Sequence, residues 1–198
     1  MKKIDFYREL SKLDKTEKNS LKLEQYSTDI DTAYRFIYFV DYNVSIAGKT
    51  VADLGCGNGI LGIAASLLGA AEVDLYDIDE KAVCSTKQNI EKLHIKNAKP
   101  IHMDIFDADK KYEIAVSNPP FGFQSNFSLN AFIKKANSLA ENIFFIYKDN
   151  KEIRKIADIL GFSVYKIEDI TLENTLPFHK KSYYSLPVVI VYKITNKV

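Results

Sequence analysis

Short apolar runs alternate along most of this chain with stretches in which apolar residues recur every three or four positions. The runs predict buried strands, whereas the three-and-four spacing predicts helices. Five strands are predicted before residue 150, and helices separate most of them. The first strand begins at Val51, and the others cover Glu72–Tyr76, Lys99–Met103, Tyr112–Ser117 and Asn142–Tyr147; the helices cover Ile60–Leu68, Glu80–Leu93, Leu129–Ala140 and Lys151–Leu160.

This alternation predicts an α/β fold built on a parallel sheet, because each parallel connection needs a crossover of about a dozen residues. Two further strands, Ser163–Leu172 and Pro187–Ile194, have no helix between them. We therefore expect them to form an antiparallel pair at the end of the sheet.

The N-terminal part of the chain is predicted to be helical. Residues 4–24 fit one or two short helices, and a longer helix is expected over Asp29–Tyr42, with Thr28 as its N-cap. The predicted organisation is an N-terminal helical extension, residues 1–44, followed by one catalytic domain, residues 45–198.

Composition narrows the class of protein. The chain has 198 residues, of which 46% are apolar, so it can bury one good-sized core. Its net charge of +1 gives no overall basic field, and any contact with nucleic acid needs a local patch or a partner. Cys56 and Cys84 are too few for a disulfide framework and show no metal-ligand spacing, so we expect two buried thiols and no metal. The absence of a long apolar run predicts a cytoplasmic protein that does not enter a membrane.

The first strand runs into a loop that carries Gly55, Gly57 and Gly59. Alternating glycines permit positive φ and remove the Cβ atoms that would hold a ligand away from the backbone. The helix that follows adds unpaired N–H groups, so the turn predicts a ligand site. Its G-x-G-x-G spacing differs from the dinucleotide fingerprint, and the preceding acid, Asp53, would repel a phosphate. A cationic ligand such as S-adenosylmethionine is therefore favoured.

An acid that ends the second strand is suited to hold a sugar. Asp77 lies 18 residues beyond Gly59, where a carboxylate in a nucleoside-binding unit accepts both ribose hydroxyls. Asp79 is an alternative, although an acid at that position would also complement the dipole of the next helix.

The most specific motif is Asn118-Pro119-Pro120-Phe121, directly after the fourth strand. Two prolines cannot continue a sheet, so the backbone is held extended with its carbonyls free of strand partners. The Asn118 side chain and the Pro119 carbonyl would accept protons from a planar amine such as adenine N6, and Phe121 would stack on the base. Positioning of this kind supplies much of the rate of methyl transfer.

These motifs resemble those of known enzymes. Asp53-Leu54-Gly55-Cys56-Gly57-Asn58-Gly59 resembles the first motif of class I S-adenosylmethionine-dependent methyltransferases, and Asn118-Pro119-Pro120-Phe121 resembles the fourth motif of those that act on planar amino groups. Leu23-Glu24-Gln25-Tyr26 and Phe178-His179-Lys180-Lys181-Ser182 narrow the resemblance to the methyltransferase-like 5 family of ribosomal-RNA adenine-N6 methyltransferases and their archaeal relatives. The resemblance implies a Rossmann-like sheet of seven strands in the order 3-2-1-4-5-7-6, with the last strand antiparallel and helices on both faces.

The resemblance also implies that the extension, residues 1–44, covers the cofactor site of the methyltransferase domain, residues 45–198, and it assigns site residues. It gives the catalytic role to Asn118, Pro119, Pro120 and Phe121, and it places His179, Lys180 and Lys181 near the RNA entrance. In related enzymes the acid at Asp104 accepts a hydrogen bond from the adenine amine, although a solvent-facing turn acid is an equal alternative here. The implied cofactor-binding residues are Gln25, Tyr26, Thr28, Asp53, Gly55, Gly57, Asn58, Asp77, Ile78, Asp104, Ile105 and Asn118.

The predicted function is S-adenosylmethionine-dependent N6-methylation of adenine in structured RNA, with small-subunit ribosomal RNA as the substrate. Three alternatives stay open: methylation of a protein glutamine amide, methylation of cytosine N4 or guanine N2 in DNA or RNA, and a non-catalytic scaffold that binds the cofactor and RNA. Relatives work with a small zinc-binding activator protein, and the apolar residues of Lys99–Met103 predict such a partner at the third-strand edge. Pro100 in the same strand would instead protect that edge.

Overall fold

The computed structural model of the chain describes residues 3–14, 28–120, 128–167, 170–173 and 183–195. Its helices are α1 (Lys3–Leu10), α2 (Ile30–Val44), α3 (Ile60–Leu67), α4 (Glu80–Lys92), α5 (Leu129–Leu139) and α6 (Lys151–Leu160). Its strands are β1 (Thr50–Leu54), β2 (Glu72–Asp77), β3 (Ala98–His102), β4 (Tyr112–Ser117), β5 (Ala140–Lys148), β6 (Ser163–Lys166), β7 (Ile170–Glu173), β8 (Tyr183–Leu186) and β9 (Val188–Lys193).

Seven of these strands form one sheet in the order β3-β2-β1-β4-β5-β9-β6. The pairs among β1 to β5 are parallel, and β9 runs antiparallel to both β5 and β6. Because β6 and β9 are the sixth and seventh strands of this sheet in chain order, the predicted order 3-2-1-4-5-7-6 with an antiparallel last strand is confirmed.

The prediction of one continuous strand over Ser163–Leu172 is wrong. The segment divides into β6, which pairs with β9, and β7, which pairs with β8 in a separate two-stranded sheet. The last pair between β6 and β9 joins Lys166 to Val189, one residue short of the β9 start at Val188. Beyond Lys166 the chain leaves the large sheet and pairs elsewhere.

Helices pack on both faces of the large sheet, as predicted. Phe144 and Phe145 are consecutive buried residues of β5, and consecutive strand residues point to opposite faces. Phe39 of α2 contacts Phe144 with ring centroids 6.3 Å apart, whereas Phe132 of α5 contacts Phe145 at 5.9 Å. The core therefore lies in two layers, one on each side of the central strands.

Two local predictions about side chains need correction. The N-cap of α2 is Asp29, whose carboxylate accepts a hydrogen bond from the Thr32 N–H at 3.0 Å, and it is not Thr28. A negatively charged carboxylate at this position interacts more favourably with the positive end of the helix dipole than an uncharged hydroxyl would. Cys56 is buried as expected, but Cys84 is exposed, because it lies on the outer side of α4.

The N-terminal helix packs on the helix that follows. The ring of Phe6 in α1 lies edge-on to Tyr34 and Tyr38 of α2, with centroids 5.7 and 5.5 Å apart. The Tyr7 hydroxyl donates a hydrogen bond to the Asp31 carboxylate. No helix in the described part of the chain has both the length and the apolar character needed to cross a membrane.

Candidate active site

The carboxyl ends of β3, β2, β1 and β4 lie side by side, and hydrogen bonds to backbone carbonyls connect neighbouring ends. Parallel sheets bind ligands at this edge, where the loops that leave neighbouring strands meet. The Gly55 N–H donates a hydrogen bond to the Tyr76 carbonyl at 2.9 Å, and the Met103 N–H donates one to the Asp77 carbonyl at 3.0 Å. The Ser117 hydroxyl donates one to the Leu54 carbonyl at 2.5 Å.

The glycine turn follows β1 and exposes its backbone. Gly55, Gly57 and Gly59 have φ angles of 75°, 59° and 83°, in the left-handed region that favours glycine. A Cβ added at Gly55 or Gly57 would meet no atom within 4 Å, whereas one at Gly59 would lie 2.9 Å from the Thr86 side chain of α4. The first two glycines thus border open space, and the third allows α4 to pack closely against the turn.

Asp77 connects the end of β2 to the glycine turn. One oxygen of its carboxylate accepts a hydrogen bond from the Gly57 N–H at 2.9 Å, and the other accepts one from the Asp79 N–H at 2.9 Å. Burial raises the pKa of Asp77, and these two bonds oppose the rise. Each oxygen keeps a further lone pair for a hydroxyl donor. Asp79 itself caps α4 by accepting from the Lys81 N–H, which is the structural alternative considered for it.

Asp53 lies behind the turn rather than at its mouth, since only 1% of its surface is exposed. One carboxylate oxygen accepts a hydrogen bond from the Gly62 N–H at 2.8 Å, and the other has no partner in the described ranges. Burial, opposed by the Gly62 bond and reinforced by the nearby charge of Asp77, raises the pKa of Asp53 to about 7. Near neutral pH, a cation bound at the turn would favour the ionised form of this carboxylate.

The loops after β2 and β3 face each other across the same edge. Ile78 follows Asp77 and is 57% exposed, and its carbonyl lies 3.0 Å from the ring Nε2 of His102. Asp104 accepts a hydrogen bond from the Phe106 N–H at 3.0 Å and so caps the short 3-10 helix Ile105–Asp107. This bond uses one lone pair of Asp104 and leaves its second oxygen available to a ligand.

Asn118 follows β4, beside the buried Pro119. Its amide Nδ2 donates a hydrogen bond to the Thr28 hydroxyl at 2.9 Å. The amide oxygen, Oδ1, is buried and has no hydrogen-bond partner among the described residues. An acceptor with an unused lone pair is therefore placed next to the proline pair, and it suits a ligand that donates a proton.

Two buried polar residues of α4 hold the glycine turn in place, and the sequence analysis missed them. Thr86 donates from its hydroxyl to the Gly57 carbonyl at 2.8 Å, and Asn89 donates from its amide to the Asn58 carbonyl at 2.9 Å. Asn89 also accepts from the Asp14 N–H at 2.8 Å, and Asn58 donates to the Asp14 carbonyl at 3.2 Å. Polar residues that fall on the buried face of a helix were the signal that could have revealed them.

Several predicted site residues lie outside the described residues. These are Gln25, Tyr26, Phe121, His179, Lys180 and Lys181. The other assigned residues lie in or directly after β1, β2, β3 and β4 at one edge of the sheet, apart from Thr28, which precedes α2 and reaches that edge through its hydrogen bond with Asn118.

A sheet of this order binds its cofactor beyond the carboxyl ends of the parallel strands. At that edge the backbone of Gly55 and Gly57 is accessible, and the Asp77 carboxylate is held beside it by the hydrogen bond from the Gly57 N–H. This combination defines a class I S-adenosylmethionine-dependent methyltransferase. The sequence profile of the methyltransferase small domain family matches residues 27–148, which is more than half of the chain. The chain belongs to that family, and its cofactor is S-adenosylmethionine.

Individual relatives match over nearly the whole chain. The rRNA N(6)-adenosine-methyltransferase METTL5 of Danio rerio is 30% identical over 190 residues, covering 90% of this chain and 92% of that protein. The crystal structure of a Pyrococcus horikoshii protein assigned as an RNA methyltransferase superposes with a TM-score of 0.83 at 28% identity, covering 96% of this chain and 97% of that one. A Thermoplasma acidophilum crystal structure gives a TM-score of 0.68, also at 28% identity, over 96% and 95% of the two chains.

Proposed function

We propose that this methyltransferase transfers a methyl group to adenine N6 in structured RNA, and that its substrate is small-subunit ribosomal RNA. The name of the Danio rerio relative supports the base and the kind of RNA, and similar names belong to relatives from Caenorhabditis elegans and Drosophila melanogaster at 31% identity. The observation on this chain that carries the proposal is the buried amide oxygen of Asn118.

The residues at the sheet edge fit the cofactor. The open backbone at Gly55 and Gly57 admits its methionyl end, and a cation bound there would favour the ionised form of Asp53 behind the turn, so that the two charges attract. Asp77 would accept the ribose hydroxyls, and Ile78 would pack against the adenine ring with Asp104 and Ile105 beside it. When bound, S-adenosylmethionine supplies an electrophilic methyl group on a positively charged sulfur.

Asn118 is proposed to hold the target amine. Adenine N6 carries two protons and a lone pair that is delocalised into the ring, so it is a poor nucleophile until its protons are accepted. The Asn118 amide oxygen and the Pro119 carbonyl would accept them, because the prolines keep this backbone out of the sheet. The chain then contributes acceptors and alignment, and no side chain has to remove a proton before transfer.

Substitution of Asn118 by alanine tests this role. The resemblance also counts Asn118 among the cofactor-binding residues, but here it is assigned to the target amine. We therefore expect Asn118→Ala to bind S-adenosylmethionine as tightly as the wild type in calorimetry. Transfer of label from the cofactor to small-subunit RNA should fall by about 10² to 10³-fold, the range seen when one positioned polar group is removed. Undiminished transfer would remove Asn118 from the mechanism.

The nature of the labelled product separates the alternatives. Digestion and chromatography of the labelled material distinguish N6-methyladenosine from N4-methylcytidine, N2-methylguanosine and methylated glutamine. Label in any of the last three would overturn the proposed substrate and leave the enzyme class unchanged.

RNA contact is proposed for the segment that contains His179, Lys180 and Lys181. Basic side chains beside Phe178 suit single-stranded RNA, since phosphate contacts and base stacking act together. The net charge of +1 gives no overall basic field, so RNA contact depends on a local patch of this kind or on a partner.

A small zinc-binding activator is proposed to dock at the β3 edge. Within the described sheet β3 is an end strand that pairs with β2, and the apolar residues after it are partly open: Met103 is 38% exposed and Phe106 is 48% exposed. Exposed edges with apolar neighbours favour strand addition by another chain.

Co-expression with the host homologue of such an activator tests the interface. Size-exclusion chromatography should show one complex, which Phe106→Asp should dissociate. Tyr165→Asp, at an exposed position on the opposite edge strand β6, is the matched control and should leave the complex intact. Separate elution of the two wild-type proteins at micromolar concentration would contradict this partner.

A further inference from the structure

Thr28 and Asn118 meet across 90 residues of sequence, at the point where the N-terminal region reaches the end of β4. The Thr28 hydroxyl oxygen accepts a hydrogen bond from the Asn118 Nδ2 at 2.9 Å, and both residues are partly buried. Thr28 is free for this contact because the neighbouring Asp29 caps α2.

In this contact the Thr28 hydroxyl takes the donor end of the Asn118 amide, which leaves the amide oxygen for the site. An asparagine amide carries an acceptor on one side and two donors on the other, and rotation by about 180° exchanges them. A donor facing adenine N6 would meet the protons of the amine and could not accept them. With Nδ2 held by Thr28, the oxygen is the end left without a partner in the described chain, so it is available to the target.

We propose that Thr28 is a positioning residue for methyl transfer, which acts through Asn118 by keeping the amide oxygen toward the target amine. This inference rests on the proposed function of Asn118 and assigns to Thr28 a role different from contact with the cofactor. The branched side chain of threonine has few χ1 rotamers, so its hydroxyl presents the acceptor in a restricted direction.

Three variants separate this role from a merely structural one. Thr28→Val keeps the shape and removes the acceptor, whereas Thr28→Ser keeps the acceptor. Thr32→Val is the matched control, because Thr32 is a buried threonine one turn along, whose hydroxyl donates to Asp29 at 2.6 Å. It removes a hydroxyl at the same helix start without touching Asn118.

We expect Thr28→Val to lower kcat for RNA methylation by roughly three- to tenfold, the loss of one hydrogen bond, with KM for S-adenosylmethionine unchanged. Thr28→Ser should restore most of kcat, and Thr32→Val should lower thermal stability without lowering kcat. In the Asn118→Ala background, Thr28→Val should have no further effect. A rise in KM for the cofactor with kcat unchanged would overturn the proposal and make Thr28 a cofactor contact.

A spectroscopic readout keeps the inference independent of the substrate. The Asn118 side-chain NH₂ signals, assigned by their loss in Asn118→Ala, should exchange slowly with water in the wild type and in Thr28→Ser, and faster in Thr28→Val. Unchanged exchange in Thr28→Val would refute the contact even if wild-type transfer to RNA is normal. Wild-type protein that shows the protected signals but methylates no RNA would instead contradict the proposed function alone.

Discussion

At the scale of single residues, two acids only two positions apart in the sequence have different roles. Asp77 supports the glycine turn from the end of β2, whereas Asp79 begins α4. The sequence could predict this division, because strand length and helix start fix which acid reaches the sheet edge. It could not predict that Asp53 would be turned inward onto Gly62, since that depends on how closely α3 packs against β1.

Alanine substitution compares the two acids directly. Asp77→Ala should weaken S-adenosylmethionine binding by about 1.5 to 3 kcal/mol, because the proposed charge-assisted hydrogen bonds to the ribose would be lost. Asp79→Ala should leave the binding unchanged and lower the free energy of unfolding by about 1 kcal/mol through loss of the cap. Isothermal titration calorimetry and urea unfolding measure the two effects. Equal cofactor affinity in Asp77→Ala and wild type would show that Asp77 is not the ribose ligand.

The raised pKa of Asp53 predicts a particular pH dependence of stability. Its folded pKa of about 7 exceeds the unfolded value near 3.8, so the native state binds the extra proton between these limits. The Asp53 contribution to the free energy of unfolding therefore falls as pH rises from about 4 to 7, by an amount on the order of 4 kcal/mol. Asp53→Asn should lose this slope and gain relative stability toward pH 8. Parallel stability curves of the two proteins in urea unfolding would contradict the shift.

At the scale of elements, α4 does more than cover the sheet. Its Thr86 and Asn89 are buried, and they bond to the carbonyls of the glycine turn, so the helix fixes the conformation of the turn. The predicted helix Glu80–Leu93 matches α4 to within one residue. Its connection to Asp14 could not be predicted, because it joins parts of the chain that are 75 residues apart.

Removal of the Asn89 amide tests this connection. Asn89→Ala leaves the Asp14 N–H and the Asn58 carbonyl without this partner, so we expect a loss of about 2 to 4 kcal/mol in unfolding free energy and weaker cofactor binding. Asn142→Ala is the matched control: Asn142 also bridges two backbone groups, the Glu113 carbonyl at 3.0 Å and the Thr195 N–H at 3.1 Å, away from the site. It should lower stability without changing cofactor affinity in calorimetry. Unchanged affinity in both variants would make the Asn89 contact purely structural.

At the scale of the whole molecule, the fold was largely predictable because strands and helices alternate so regularly. The order of the seven strands came from the resemblance and is confirmed by the pairing. The small sheet of β7 and β8 was missed, because β-periodicity continues from Ser163 to Leu172 and does not show where a strand changes partner. A partner at the β3 edge could not be predicted from this sequence alone, because binding there also depends on the sequence of the second protein.

The proposed activity is methylation of adenine N6 in small-subunit ribosomal RNA, with Asn118 as the residue that holds the target amine. Mass spectrometry of nucleosides from that RNA tests it most directly, in the parent strain, a strain lacking the gene, and the latter complemented with wild type or Asn118→Ala. We expect one N6-methyladenosine to disappear on deletion, to return with the wild type and to stay absent with Asn118→Ala. An unchanged N6-methyladenosine content in the strain lacking the gene would contradict the account.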